Sequence, residues 1–197
     1  MQIIRDVEQG SEKWFKLREL RMTASHAQSI AAAGKGLDTY IRTRIQNYKL
    51  GQGSPIFIND AIENGIKLEP EARSMYEITK GIETRQVGFV IYNDYVGCSP
   101  DMLICKKGLG EIKCPTDRVF LRYLKDKIIN TKYLWQMQMQ MMICERSWCD
   151  YIVYNPHFLE NIIVKRVYAD TAMFQKLKAG LVIGTELIKE LLEGGEK

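Results

Sequence analysis

The spacing of apolar residues changes period after Gly81, and that change fixes the class of fold open to this chain. Before Gly81 apolar residues recur at helical intervals; beyond it, short runs rich in β-branched and aromatic residues alternate with further helical stretches. Trp14–Leu20 is expected as a helix capped by Ser11, and Thr23-Ala24-Ser25 as the capped start of a second over His26–Ala33, ended by Gly34 and Gly36. Thr39–Leu50 and Asn59–Thr79 read as two more helices, the second stopped by Gly81. Arg85–Tyr92, Tyr95–Cys98, Met102–Cys105 and Gly110–Cys114 read as a strand meander, with turns at Asn93-Asp94 and Lys106-Lys107-Gly108. Thr116–Ile128 and Lys132–Cys144 return to helix. Trp148–Tyr154 and Asn161–Tyr168 are two more strands around the Asn155-Pro156 turn, and Asp170–Glu193 is an amphipathic helix. Elements interleaved in this way specify an α/β (α+β) domain, a mixed central β-sheet flanked by helices.

Bulk properties exclude several alternatives. The 197 residues fit one domain over 1–197, with no linker or repeat to divide them. No apolar run approaches the roughly 20 residues that span a bilayer, so no membrane association is expected. The opening Met1-Gln2-Ile3-Ile4-Arg5-Asp6 lacks the charged-then-apolar order of a secretory signal. A cytoplasmic location is the expectation. The five cysteines form no C-x-x-C pair, and Cys98, Cys105 and Cys114 read as small buried hydrophobes. Two histidines, His26 and His157, are too few for His-rich metal chemistry. The net charge of +4 permits a nucleic-acid partner without requiring one.

Chemistry concentrates in Ser99-Pro100-Asp101 and Glu111-Ile112-Lys113. On a strand, Glu111 and Lys113 face one way and Ile112 the other, into the core. Pairing across a hairpin would bring Asp101 beside Glu111. Two facing carboxylates repel unless a cation lies between them, and hard oxygen donors suit Mg²⁺ or Mn²⁺. Lys113 on the same face could orient a water or neutralise a phosphoryl transition state. Alone, the pattern also fits an exposed hairpin whose charges are simply solvated.

Four blocks in register resolve that choice. Trp14-Phe15-Lys16-Leu17-Arg18 precedes Thr23-Ala24-Ser25; Gly65-Ile66-Lys67-Leu68-Glu69 precedes Glu71-Ala72-Arg73; Cys98-Ser99-Pro100-Asp101 precedes Glu111-Ile112-Lys113-Cys114-Pro115; and Tyr133-Leu134-Trp135-Gln136-Met137-Gln138 closes the set. In these blocks the chain resembles the lambda-exonuclease-like, YqaJ-type viral recombinase family of the PD-(D/E)XK nuclease superfamily. Departures are Leu20, where a glycine is usual, and Asn64, where an aromatic precedes Gly65. The resemblance implies a restriction-endonuclease-like PD-(D/E)XK core. It assigns Asp101, Glu111 and the Ile112 carbonyl to the metal, and Glu69 to completing the site, through a water to a second ion. Lys113 is assigned to activating the attacking water, and Gln136 to polar support. Arg18, Ser25 and Ser99 fall where the family holds a terminal 5′-phosphate, and Ile62 where it places an apolar wedge at the duplex end.

Each assignment has a plainer alternative. Arg18 could sit on a helix surface, Ser25 could be only a cap, Glu69 could be solvated beside Glu71, and Ile62 could be core. Helical spacing puts Tyr133, Gln136 and Gln140 on one face, leaving Gln140 as a second candidate, with Met137 and Met141 directed to the core. The implied activity is a Mg²⁺-dependent 5′→3′ exonuclease with two ions per site, Mn²⁺ being able to substitute. It would digest one strand of linear double-stranded DNA from 5′-phosphorylated ends and leave 3′ overhangs. The implied assembly is a ring-shaped homotrimer working with a single-strand-annealing recombinase. The rival readings are a PD-(D/E)XK endonuclease or a nuclease for single strands or RNA, and a non-catalytic DNA-end-binding protein.

Overall fold

Two sheets, where the sequence pattern suggested one, organise the chain in its computed structural model, which describes residues 1–52 and 60–194, the side chains of 60–62 excepted. From the N-terminus the elements are β1 (Gln2–Ile4), α1 (Glu12–Arg18), β2 (Met22–Thr23), a 3-10 turn (Ala24–His26), α2 (Ala27–Ala32), α3 (Lys35–Lys49), α4 (Asp60–Lys80), β3 (Thr84–Arg85), β4 (Phe89–Asn93), β5 (Val96–Cys98), β6 (Met102–Ile104), β7 (Gly108–Lys113), α5 (Asp117–Asp126), α6 (Thr131–Cys144), β8 (Trp148–Tyr154), β9 (Ile162–Tyr168) and α7 (Thr171–Glu193). The smaller sheet has the order β1-β4-β5-β2, and the larger, mixed one β3-β6-β7-β8-β9.

The larger sheet is antiparallel except where β7 and β8 run parallel, Glu111 opposite Tyr151 and Lys113 opposite Val153. A parallel pair needs a crossover, which α5 and α6 supply. Both faces of β7 and β8 are covered, and their residues are almost wholly buried, as near-continuous apolar strands require. One face carries α4, through a cluster of Ala72, Tyr76, Met102, Ile104, Ile112, Ile152 and Tyr154. The main core, with Met22, Ile30, Ile41, Met137, Met141 and Leu177, joins α2, α3, α6 and α7 on the other side. Fully burying each such side chain stabilises by about 1.5–3 kcal/mol.

Two reciprocal hydrogen bonds dock α4 on β8. The Tyr76 hydroxyl donates to Asp150 at 2.7 Å, and the Tyr154 hydroxyl to Glu71 at 2.6 Å. Arg166 on β9 completes the pairing of buried Asp150 through two nitrogens, at 2.7 and 2.9 Å, while stacking on Trp148. Charged neighbours of this kind are needed because a lone buried carboxylate would be costly.

Several expectations are corrected. The strand expected over Arg85–Tyr92 is split between the two sheets at Gly88, whose backbone lies so close to the Val7 carbonyl that an added Cβ would stand 2.0 Å from that oxygen. Ala33, at φ 49°, ends α2 instead of Gly34, and Gly34 caps α3, which starts at Lys35 instead of Thr39 and takes in Gly36. Cys105 is exposed, at φ 48° in the β6–β7 turn, and Cys114 only half-buried, so of the three cysteines read as core only Cys98 is fully buried. Ile62 lies within α4, but its side chain falls outside the described residues, so the expected wedge has no structural account.

Candidate active site

The β6–β7 hairpin sets the first geometric relation. Met102 pairs with Gly110, so the preceding Asp101 stands opposite Glu111 on the same face of the sheet. Asp101 accepts the Ile112 backbone N–H at 2.6 Å. Ile112 points to the α4 side and is buried there, as the alternation required. Gly110 permits this closeness: a Cβ there would meet Met102 Cε at 2.3 Å.

Helix α6 supplies the second relation. Asn130 caps it, accepting from Lys132 N at 2.9 Å, and aims its glutamine face at β7. Gln136 Nε2 donates to Glu111 Oε1 at 2.6 Å and Gln140 Nε2 to Glu111 Oε2 at 2.7 Å, so each carboxylate oxygen has its own amide donor. Lys113 Nζ contacts Glu111 Oε1 and donates to the Ile112 carbonyl at 3.1 Å. The other Gln140 amide atom, Oε1, is buried without a hydrogen-bond partner among the described residues. Gln138 turns away and braces the start of α7 by donating to the Tyr168 carbonyl and accepting from Asp170 N.

Glu69 reaches the same region from α4, paired with Arg73 at 3.2 Å. Burial, then the neighbouring Glu111 carboxylate, pushes the Asp101 carboxyl well above its ordinary range, and burial raises Glu69. Burial would lower the Lys113 ammonium, but Glu111 and Asp101 outweigh it and raise the group. Glu111 acts on both Asp101 and Glu69 in the raising direction, and three acids this close form a donor set with an excess of negative charge, which fits a divalent cation. Among the described residues no three His, Cys, Asp or Glu side chains are already gathered closely enough to enclose an ion. The donors that fit one are Asp101, Glu111 and the Ile112 carbonyl, with Glu69 beside them.

A second group of residues lies along the chain of contacts leading away from the carboxylates. Trp14 Nε1 donates to Ser99 Oγ at 2.8 Å, and the Arg18 guanidinium lies 4.0 Å over the Trp14 ring. Arg18 also approaches Thr23 Oγ1 at 3.4 Å and Ser25 Oγ at 3.5 Å. Thr23 makes no side-chain capping bond; its hydroxyl is turned towards Arg18 and Ser25 instead. No carboxylate pairs with Arg18 among the described residues. Burial, helped by Arg44, lowers it to about 10, which leaves it charged at neutral pH. A cation held among hydroxyls without a counter-ion suits a phosphate.

The structure thus brings Asp101, Glu111, Lys113, Gln136 and Glu69 into one region, and Arg18, Ser25 and Ser99 into a neighbouring one joined to it by Trp14. Sequence reasoning gave Trp14 no part in this link and ranked Gln140 second to Gln136. The i,i+4 spacing of the two glutamines was the signal for Gln140; nothing local to Trp14 reveals that its partner is Ser99.

A family model for the YqaJ-like viral recombinase domain matches residues 13–147. The solved alkaline exonuclease (LHK-Exo) of Laribacter hongkongensis is 29% identical, with TM-score 0.83 over 93% of this chain and 95% of its own. The same exonuclease in complex with dAMP gives 28% identity and TM-score 0.84 over the same shares. A phage related exonuclease from Haemophilus somnus 129PT, 15% identical over 92% of this chain and 99% of its own, shares the fold at TM-score 0.69. Among curated protein sequences nothing matches.

Proposed function

The chain belongs to the YqaJ-like viral recombinase family and has a PD-(D/E)XK fold, and from that premise we propose that it is a metal-dependent exonuclease that digests one strand of linear duplex DNA from a 5′-phosphorylated end. The observation that carries the reading is the Trp14–Ser99 bond, which ties the Arg18–Ser25 pocket to the segment ending in Asp101. A pocket for a terminal phosphate beside a hydrolytic centre defines an end-directed cutter and gives it 5′→3′ polarity.

Asp101, Glu111 and the Ile112 carbonyl would hold Mg²⁺, for which Mn²⁺ could substitute, and Glu69 would serve a second ion. When bound, such an ion supplies Lewis-acid polarisation of the phosphodiester and a more acidic water. Lys113 would orient an attacking water and offset negative charge on the phosphoryl oxygens. Gln136 and Gln140 fix both Glu111 oxygens, so the carboxylate cannot rotate away as the reaction proceeds. Arg18, Ser25 and Ser99 hold the 5′-phosphate, and their separation from Asp101 sets the distance from the strand end to the bond that breaks. Residues 1–197 act as one nuclease domain. Closure into a ring-shaped homotrimer would enclose the duplex, and the 3′ overhang left behind is the substrate for a single-strand-annealing recombinase. No helix among the described residues is long and apolar enough to cross a membrane.

The test is digestion of linear duplex carrying 5′-phosphate or 5′-hydroxyl ends, beside the same DNA as a closed circle, with and without EDTA. Mononucleotides released only from linear DNA, faster from phosphorylated ends and abolished by EDTA, are expected. Cleavage of the circle would make the chain an endonuclease, and binding without any product a DNA-end-binding protein.

A further inference from the structure

Arg44 on α3 is a second guanidinium at the Arg18 pocket. Its terminal nitrogen donates to the Arg18 carbonyl, and its plane lies 5.3 Å from the Tyr40 ring. Tyr40 is fixed in turn, its hydroxyl accepting from Thr23 N at 3.2 Å while His26 stacks on its ring at 3.9 Å. Arg44 Nε is buried and has no hydrogen-bond partner among the described residues. Beside these groups opens a cavity of about 580 Å³, lined by Lys35, Ser29, Thr39, Thr43 and Asn47 along with His26, Tyr40 and Arg44. Among the described residues none that lines it is acidic. No carboxylate pairs with Arg18, Arg44 or Lys35 among the described residues, whereas Arg42, on the same helix, is paired with Asp38.

Charge accounting separates two phosphates from one. A terminal phosphate carries close to two negative charges; Arg18 balances one of them, and the hydroxyls of Thr23, Ser25 and Ser99 are neutral donors beside it. With Arg44 and Lys35 the region holds three cations, one more than that phosphate balances, and Arg44 adds an unsatisfied buried donor beside a cavity rich in hydroxyls. Buried donors without partners are uncommon in folded proteins and point to a missing acceptor. We propose that this cavity is a second anion subsite, taking the phosphate that lies one unit beyond the group held by Arg18 and Ser25. The proposal rests on the reading of Arg18 as a phosphate ligand. Its ligand chemistry has two sources: a 5′-triphosphate, or a strand end extended by one unpaired 5′ nucleotide. Either presents an extra anion beyond the phosphate at Arg18.

Equilibrium binding in EDTA, which needs no turnover, tests it. Four hairpin duplexes are compared, ending in 5′-hydroxyl, 5′-monophosphate, 5′-triphosphate, or a monophosphorylated unpaired nucleotide. The triphosphate or the extended end is expected to bind roughly tenfold tighter than the monophosphate, the size of one charge-assisted hydrogen bond. A gain confined to one of them identifies the source. The gain should disappear in Arg44→Ala and shrink in the exposed Lys35→Ala, which should keep the monophosphate-over-hydroxyl preference. A monophosphate preference with no gain from either longer end, or a gain that survives both substitutions, overturns the second subsite alone. No distinction between monophosphate and hydroxyl in the unaltered chain overturns the Arg18 reading, and this one with it.

Discussion

Trp14 Nε1 and Ser99 Oγ lie 2.8 Å apart, so the helix bearing Arg18 is tied to the segment bearing Asp101. The same indole supports the Arg18 guanidinium from below. Trp14→Phe keeps an aromatic platform and removes only the donor. Losing one such bond costs about 1 kcal/mol, so KM for phosphorylated duplex ends should rise about fivefold with little change in kcat. Arg18→Ala should go further and erase the preference for phosphate over hydroxyl ends. Equal KM values for Trp14→Phe and the unaltered chain would show that the link does not position the pocket.

Lys113→Ala should lower hydrolysis by about a thousandfold or more, on the scale of losing a group that stabilises transition-state charge. Affinity for DNA ends should change by less than about twofold, since the Arg18 pocket is untouched. Single-turnover digestion and anisotropy on the same duplex read the two quantities. Retained turnover would remove Lys113 from the chemistry.

Gln140→Leu preserves volume but strips Glu111 Oε2 of its amide donor inside the core. A buried carboxylate oxygen left unpaired costs about 1–3 kcal/mol. The variant should unfold at lower denaturant concentration by that amount and lose roughly tenfold in kcat. Gln140→Glu should be worse on both counts, because it sets a second carboxylate against Glu111. Unchanged kcat in Gln140→Leu would mean that Gln136 alone holds Glu111.

His26 titrates apart from ordinary histidines. The residue is exposed over part of its surface, but desolvation of the ring, stacked on Tyr40, followed by Arg44, Arg18 and Lys132, lowers it from 6.5 to about 4. Since the folded value lies below the unfolded one, the neutral ring contributes stability above pH 6.5 that is lost as pH falls from there through about 4. Proton NMR resolves this directly, because His157 is the one other histidine in the chain. His26 should titrate well below 6.5, and Arg44→Ala should move it upward. A midpoint at 6.5 would show that the neighbouring cations do not act on the ring.

Long periodic segments were legible from sequence because their own pattern determines them: β8 and the α6–α7 helices lie within a residue of where spacing placed them. The face shared by Asp101 and Glu111 was legible for the same reason, since alternation on a strand leaves little freedom. Short strands were not. β1 and β2, of three and two residues, carry no internal period and exist only because β4 and β5 pair with them. The break at Gly88 was hidden because it depends on Val7, far away in sequence. Trp14 and Arg44 were missed likewise: their partners, Ser99 and the Arg18 carbonyl, are tertiary neighbours. Ala33 in a left-handed conformation overrode the usual preference for glycine at a helix end, because Gly34 is used to start α3.

Because β8 follows β7 in the chain with α5 and α6 between them, the hairpin holding Asp101, Glu111 and Lys113 leaves the ribosome before the strand that covers its open edge. Gln136 and Gln140 also emerge later, on the crossover itself. Pairing β7 with β8 closes the loop over 114–147, at a higher entropic cost than closing the β6–β7 turn. A nascent or truncated polypeptide ending before β8 therefore carries Asp101, Glu111 and Lys113 but lacks the strand that pairs along the outer edge of β7 and fixes their backbone.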